Sequence, residues 1–429
     1  MSLPGSGAVR PGDDLRSGIV KLARGPLLRR SVCAADLPAR LQVSGCTGLS
    51  VSDRDLPALT GRPGTQRTWS RRQEGSLTVV FLAASQPQSG AVFPYHLLVD
   101  FRRIDRPDGS WQEPVTAGQV LAMCRRVLGE STGVRSAIEM GWGSYNTAFR
   151  VELAEDPAPV VLRVAPSPGK QMRSERYWLR SEYAATAWLV GLGPLVPRVL
   201  GADFTHQVIG RDYLIQSFLP GVPAPEKLQA YDRKLWPGFF GQLGLITRQV
   251  HSVAGDWWGP LAAPVDTRWS DAVLRSLIDS RADLAGYSIP VDDVAQLCAV
   301  TERHRDRLDL AARARLLHGD LWTANILMDP HATEPTVTGV VDSDRAWWGD
   351  PLADWTVYRA DSRVAPAERD AFWLAYGGRP KSKDAEWRLM FYRGRHLIAE
   401  RVESARCGRF DHVDKTVTEL RSLLSELGD

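Results

Sequence analysis

Three side chains with oxygen donors punctuate apolar runs in the C-terminal half of this 429-residue chain. In LLHGDLWTANILMDP (316–330), Asp320 and Asn325 stand between apolar stretches. In TGVVDSD (338–344), another apolar run ends in Asp342. An aspartate in a short loop can accept the proton of an attacking hydroxyl. An asparagine carbonyl oxygen and a carboxylate suit Mg2+, a hard cation that takes one or two protein carboxylates plus phosphate oxygens. Asp or Asn after a strand is by itself an ordinary turn residue. The signal is the ordered set: HGD, four residues, Asn, then an apolar strand ending in Asp.

A phosphate cradle should lie upstream. Gly141-Trp142-Gly143-Ser144 falls inside a predicted hairpin made of GWGSYNTAFRVEL (141–153) and PVVLRVAP (159–166). Gly141 and Gly143 let backbone N–H groups approach a phosphate with no Cβ in the way, and Ser144 adds a hydroxyl. A glycine pair in a hairpin is more often only a turn. Arg163, on the second strand, could reach the α- and β-phosphates if a carboxylate fixes it. Glu182, on the next predicted helix, is the first candidate, and Glu175 is the second.

These residues need scaffolding, and the chain divides accordingly. Residues 1–115 read as an extension, first Gly/Pro/Ser/Arg-rich and then β-rich, with strands expected at 76–85 and 91–104 and a turn at 106–111. KLARGPLLRR (21–30) has the composition of a basic amphipathic helix, usually a solvated face. Residues 116–221 alternate helix and strand: a helix over 116–129, the hairpin, a helix over 174–193 ended by Gly191, Gly193 and Pro194, and two strands over 196–221. From 222 to 429 the patterns are mostly helical, interrupted by the 316–342 region. The expected class is α+β.

The HGD-x4-N loop and the strand-terminal Asp resemble the H-R-D-x-x-x-x-N and D-F-G elements of protein kinases, with Gly319 for Arg and Ser343-Asp344 for Phe-Gly. That variant is similar to the aminoglycoside phosphotransferase family, the small-molecule branch of the kinase-like fold that includes choline, fructosamine and methylthioribose kinases. The resemblance spans about residues 116–360, and VVDSDRAWWGDPLADW (340–355) with its GDP-x-x-D element is a specific part of it. It implies a bilobal protein-kinase-like fold, with a β-rich N-lobe and a helical C-lobe. It implies Asp320 as catalytic base, Asn325 and Asp342 as Mg2+ holders, and Gly141 to Ser144 over the phosphates. Arg163 would replace the usual third-strand Lys, with Glu182 as its partner. IQSFLPG (215–221) would be the hinge, with the Ser217 carbonyl and the Leu219 N–H pairing with adenine. The acceptor would lie between Asp320 and the C-terminal helices, with Trp322, Asp344, Trp348 and Asp354 as candidate contacts. Asp344 has other readings open: metal support, a salt bridge to Arg345, or a turn cap. His318 reads as structural.

The implied reaction is Mg-ATP-dependent phosphoryl transfer to a small-molecule hydroxyl, with GTP as the other donor to test. An aminoglycoside, nucleoside or sugar antibiotic is one acceptor class. The alternatives are a sugar- or choline-type metabolic kinase and a nucleotide-binding module without turnover. Arg for Lys is one departure from the family pattern, since guanidinium and ammonium meet phosphates differently. The other is the first 115 residues, which have no counterpart.

Composition sets outer bounds. A net charge of +3 gives no argument for nucleic acid. It hides an asymmetry: residues 254–429 carry a net of −6, and the rest +9. That pattern would suit an anionic cofactor and a cationic acceptor. Five scattered cysteines show no zinc spacing, and a reduced, cytoplasmic setting is expected. No apolar run approaches a membrane span, and the N-terminus shows no signal-peptide pattern. Fifteen tryptophans, several beside the motifs, suggest aromatic pocket walls.

Overall fold

Strand alternation builds the first half of the molecule. The computed structural model describes residues 99–107 and 110–428, with the backbone of two short strands upstream. Those two are β1 (Ile19–Lys21) and β2 (Thr78–Val80), followed by β3 (Asp100–Arg102), helix α1 (Ala117–Leu128), β4 (Val134–Met140), β5 (Thr147–Leu153) and β6 (Val160–Val164). Helix α2 (Trp178–Ala185), β7 (Val199–Asp203) and β8 (Tyr213–Ser217) complete the lobe. The sheet order is β1-β2-β3-β4-β5-β6-β8-β7, antiparallel except for the parallel β3–β4 pair. The proposed 21–30 helix lies outside the described residues, apart from Lys21, as do Cys33, Cys46 and most of 76–98.

On β6 the period of two decides which side chains meet the core. Val160, Leu162 and Val164 join Phe149, Met123 and Tyr213 in one buried cluster. Arg163 points to the other face, in register with Ala148 and Leu214. Helix α1 closes the first face, and its start is set by a capping box. The Thr116 hydroxyl accepts from the Gln119 N–H at 3.2 Å, and the Gln119 amide oxygen accepts from the Thr116 N–H at 2.9 Å. Sequence reading missed β4, which precedes the glycine loop and pairs with β5. It also overextended the 174–193 helix. Only Trp178–Ala185 is α-helical, and Leu189–Leu195 forms 3-10 turns around Gly193 and Pro194, because Gly193 has positive φ and Pro breaks the ladder.

The second half begins with β9 (Val222–Pro223), α3 (Ala224–Lys227), α4 (Trp236–Ser252), β10 (Ala254–Gly255), β11 (Gly259–Pro260), α5 (Trp269–Gly286), α6 (Asp292–Arg303) and α7 (Arg305–Leu308). It continues with β12 (Ala314–Leu317), β13 (Ile326–Met328), β14 (Val337–Val340), β15 (Trp347–Gly349), α8 (Trp355–Ser362), α9 (Pro366–Tyr376), α10 (Lys383–Arg406) and α11 (Phe410–Leu427). Small sheets β10-β12-β15-β11 and β14-β13-β9 carry the motif segments across a helical core that includes Trp269, Phe372, Phe391 and Leu420. The molecule is a bilobal kinase-like fold. Among the described residues, no helix is long and apolar enough to cross a membrane.

Helix α10 is fixed by a buried ion pair. Arg401 is fully buried and grips Asp293 of α6 with two bonds, at 3.0 and 2.7 Å. It also donates to the Thr416 hydroxyl and carbonyl on α11 at 3.2 Å. Removing one partner strands the other charge in the core. Asp293→Ala should therefore lower unfolding stability by about 3–5 kcal/mol in urea denaturation. A loss below about 1 kcal/mol would mean that α10 does not depend on this pair.

Candidate active site

Pairing of β13 with β14 sets Ile326 opposite Val340, which brings Asn325 and Asp342 to one end of the same small sheet. The Val341 N–H donates to the Asn325 carbonyl at 3.0 Å. Asn325 spends its amide N–H groups on Asp320, at 2.7 Å to the backbone carbonyl and 3.1 Å to the carboxylate. Its side-chain oxygen, an acceptor, remains for another group. Asp342 has left-handed backbone (φ 66°), a conformation Asp and Asn tolerate better than bulky residues. Asp320, Asn325 and Asp342 thus lie in one cluster.

Arg163 reaches this cluster from the other lobe. Its guanidinium meets Glu182 at 3.1 Å and Asp344 at 3.4 Å, and pairs closely with Asp342. Of the two expected partners, Glu182 makes the contact, while Glu175 is bound to Arg406. Burial works against charge on both aspartates. Arg163 nevertheless pulls Asp342 below its ordinary range, and the Asp342 charge helps push Asp344 well above its own. Asp344 also accepts from the Asn146 side chain at 3.1 Å. Its surroundings are therefore Arg163 and the glycine loop, away from the acceptor role expected of it.

The base of the catalytic loop explains the GDP-x-x-D element. Asp354 is 1% exposed, and its carboxylate accepts the backbone N–H groups of His318 (2.9 Å) and Gly319 (3.1 Å). His251 of α4 meets it at 3.0 Å and meets Tyr376 at 2.8 Å. Asp354 is committed beneath the loop, so its expected acceptor contact is replaced by a positioning one. Asp350 likewise accepts from Tyr392 at 2.7 Å and pairs with Arg388. Gly319 has φ +79°, and a Cβ there would lie 1.8 Å from the Arg345 carbonyl, so glycine is required. Trp348, another expected acceptor contact, is core: it is buried against Gly255 and edge-on to Trp188. Trp322 is half-buried, with the Arg359 guanidinium 5.8 Å from its ring.

In the glycine loop only Gly143 needs its residue type for backbone reasons (φ +97°). Trp142 is exposed, and the Ser144 carbonyl and hydroxyl accept from Arg406 at 2.6 and 3.4 Å. The Arg406 guanidinium also pairs with Glu175 at 3.1 Å and lies over Trp111 and Tyr145. Ser217 closes β8, where its hydroxyl accepts from the Arg198 N–H at 2.9 Å. Leu219 follows on the short connection to β9 and packs by Gly339.

Sequence reasoning missed Arg345, Glu403, Arg406 and His251. Arg345 lies 3.6 Å from Asp320 and 2.9 Å from Glu403, not against Asp344, and stacks 4.4 Å from the Trp178 ring. Its only sequence signal was adjacency to Asp344. Glu403 and Arg406 carry none, being far along a helix that no motif marks.

Residues 136–390 match the phosphotransferase enzyme family, more than half of the chain. The chain belongs to that family. No curated protein matches it in sequence. Among solved structures, the GDP and kanamycin complex of APH(2")-IIia is similar in fold, with a TM-score of 0.51 at 17% identity over 72% of this chain and 98% of that one. The GDP complex of a mutant aminoglycoside 2'-phosphotransferase-IIIa gives 0.51 at 16% identity, again over 72% and 98%. This phosphotransferase therefore shares the kinase-like fold of proteins otherwise distant in sequence.

Burial pushes the Asp320 carboxyl up to about 7, with the Asp342 and Glu403 charges adding and Arg345 opposing. An unfolded Asp ionises near 4. A raised folded value means that the group's contribution to stability is complete below about pH 4 and is lost as pH rises through about 7. Asp320→Asn should therefore gain stability relative to the parent between pH 5 and 8, read by thermal melting of nucleotide-free protein. A difference that stays flat with pH would place the Asp320 titration in the ordinary carboxylate range.

Proposed function

We propose that this phosphotransferase moves the γ-phosphoryl group of ATP to a hydroxyl of a small molecule. The observation that carries the reading is the convergence of Asp320, Asn325 and Asp342 with Arg163, itself fixed by Glu182, where the two lobes meet. The donor set is a carboxylate and an amide oxygen, which suits a hard divalent cation such as Mg2+. Asn325 and Asp342 would hold that ion, which when bound with the nucleotide offsets charge on the phosphate oxygens.

The chain's own groups then have separable tasks. Arg163 binds phosphate oxygens and, without a nucleotide, shares its charge among Asp342, Glu182 and Asp344. The loop from Gly141 to Ser144 covers the phosphates with backbone N–H groups. Ser217 and Leu219 border the adenine at the lobe connection. Asp320 orients the acceptor hydroxyl and takes its proton as the new O–P bond forms and the bridging O–P bond to the β-phosphate breaks, leaving ADP. Asn325 keeps the Asp320 carboxylate turned to the site, and Asp354 with His251 fixes the loop beneath it. Catalysis here is positioning and charge neutralisation. The GDP bound by both similar folds is in keeping with a nucleoside phosphate donor.

Asp320→Ala should lower kcat by about 10²–10⁴-fold, the usual worth of a general base, while Mg·AMP-PNP binds within about threefold of the parent. ADP release with Mg·ATP across acceptor panels, alongside calorimetric nucleotide binding, checks both halves. Unchanged turnover in the variant would remove Asp320 from the base role. Absence of acceptor-stimulated ADP release from the parent, with nucleotide binding intact, would favour a binding module.

A further inference from the structure

Arginines on helix α10 normally have a carboxylate. Arg388 pairs with Asp350, Arg401 with Asp293 and Arg406 with Glu175, and Arg393 lies 3.6 Å from Glu419. Arg395 is the exception: among the described residues no acidic side chain pairs with it. It is half-buried, its guanidinium carbon is 4.9 Å from the centre of the Trp347 ring, and its one hydrogen bond is a long 3.5 Å contact to the Ser276 hydroxyl. Burial pulls this guanidinium down to about 10, with Tyr392 and the more distant Asp354 charge opposing.

The position of Arg395 relates it to Asp320. Arg345 touches Asp320, and Trp347 follows two residues later, with Ala346 extended and turned into the core between them. Trp347 stands opposite Leu317 of β12, three residues before Asp320, and its ring also meets core Trp269 at 6.3 Å. Helix α10 runs past both Arg345 and Trp347, supplying Glu403 to the first and, two turns earlier, Arg395 to the second. A second arginine without a carboxylate flanks the loop from α8. Thr356 hooks that helix to the Leu321 carbonyl at 2.8 Å, and Arg359 lies between Trp322 (5.8 Å) and Trp355 (5.9 Å). Most carboxylates nearby are already engaged: Glu403 by Arg345 and Arg409, Asp361 by Arg379, and Asp354 by His251, while Glu400 meets His412 and the Tyr358 hydroxyl, each at 3.4 Å.

We propose that the acceptor of this enzyme carries an oxyanion group, a carboxylate or a phosphate, which Arg395 binds beside Trp347, with Arg359 adding positive charge at the opposite side of Asp320. The proposal rests on the phosphotransferase reading of Asp320 and narrows its acceptor. A guanidinium held on an indole face keeps its outer N–H groups free for a planar or tetrahedral oxyanion. A polycation would face Arg345, Arg359 and Arg395, and like charges at such a site are repelled.

The test is calorimetric titration of the full chain with glucuronate, glucose 6-phosphate, glucose, glucosamine and kanamycin, with and without Mg·AMP-PNP. Saturable binding of glucuronate or glucose 6-phosphate, at least tenfold tighter than glucose and glucosamine, supports the proposal, and the stronger of the two identifies the oxyanion. Arg395→Gln should then weaken the anionic ligand about 10–100-fold, the worth of a charged hydrogen bond. Arg395→Lys should restore part of that loss, and the melting temperature and Mg·AMP-PNP affinity should stay at parental values. With a turned-over anionic acceptor, the same variant should raise KM and spare kcat. Tighter binding of kanamycin or glucosamine than of either anion overturns the proposal. So does no anion binding, or anion binding that Arg395→Gln leaves unchanged. Mg·AMP-PNP binding is read separately on the same samples, so failure of the kinase reading and failure of the anion site give different results.

Discussion

A guanidinium buried between two lobes cannot be left without counter-charge, and that constraint organises this molecule. Arg163 sits on a central strand, 8% exposed, where an uncompensated charge would cost several kcal/mol. Glu182 answers it from the same lobe. Asp342 and Asp344 answer it from the other. The contact therefore latches the two lobes together. In the proposed function it would also clamp phosphate: oxygens of a bound nucleotide would replace the aspartates at Arg163, freeing Asp342 for a cation. An arginine suits this exchange because its planar fork can hold two acceptors at once, where an ammonium would act as a point charge.

A second set of buried charges holds the loop that this latch faces. Asp354 accepts two consecutive backbone N–H groups, from His318 and Gly319, and one histidine. Burial would favour the neutral acid, yet hydrogen bonds and the His251 contact hold this carboxyl below its ordinary range. Gly319 completes the turn by leaving space for the Arg345 carbonyl. The two halves of the signature, HGD and GDP-x-x-D, are thus one structural device. The second fixes the backbone on which the first presents Asp320. His318 lies buried at its centre, with burial lowering its basicity, which agrees with a structural part.

This division explains what was legible in the sequence. Asp320, Asn325, Asp342, Arg163 and Glu182 could be picked out because each lies on or beside an element with clear periodicity, and strand pairing carries the rest. Asp354 and Trp348 were misassigned because proximity in sequence to a motif does not say which face a side chain takes. Trp348 is buried in the core, whereas Trp347, one residue earlier, is only half-buried against its edge. The helix expected over 174–193 is half that length, since glycine and proline punctuation was read as its end when it lies within a run of 3-10 turns. Glu403 and Arg406 were illegible for another reason. Their partners, Arg345 and Ser144, are 58 and 262 positions away, and nothing local marks a helix face that will meet them.

Charge shows the same limit of local and global reading. The net of −6 across residues 254–429 suggested a site for a cation. In the folded chain those carboxylates are mostly consumed in holding helices together, as in Asp293 with Arg401 and Asp350 with Arg388. What faces a ligand is the remainder after internal pairing, and in the proposed acceptor site that remainder includes Arg359 and Arg395 on tryptophan rings. Field strength at a crevice depends on the nearest unneutralised groups, because screening removes contributions beyond roughly 10 Å. A lobe can therefore be acidic in sum and cationic at its working surface. On the reading proposed here, the fold fixes where the phosphoryl group is handled, while the arginines of α8 and α10 would select the acceptor brought to it.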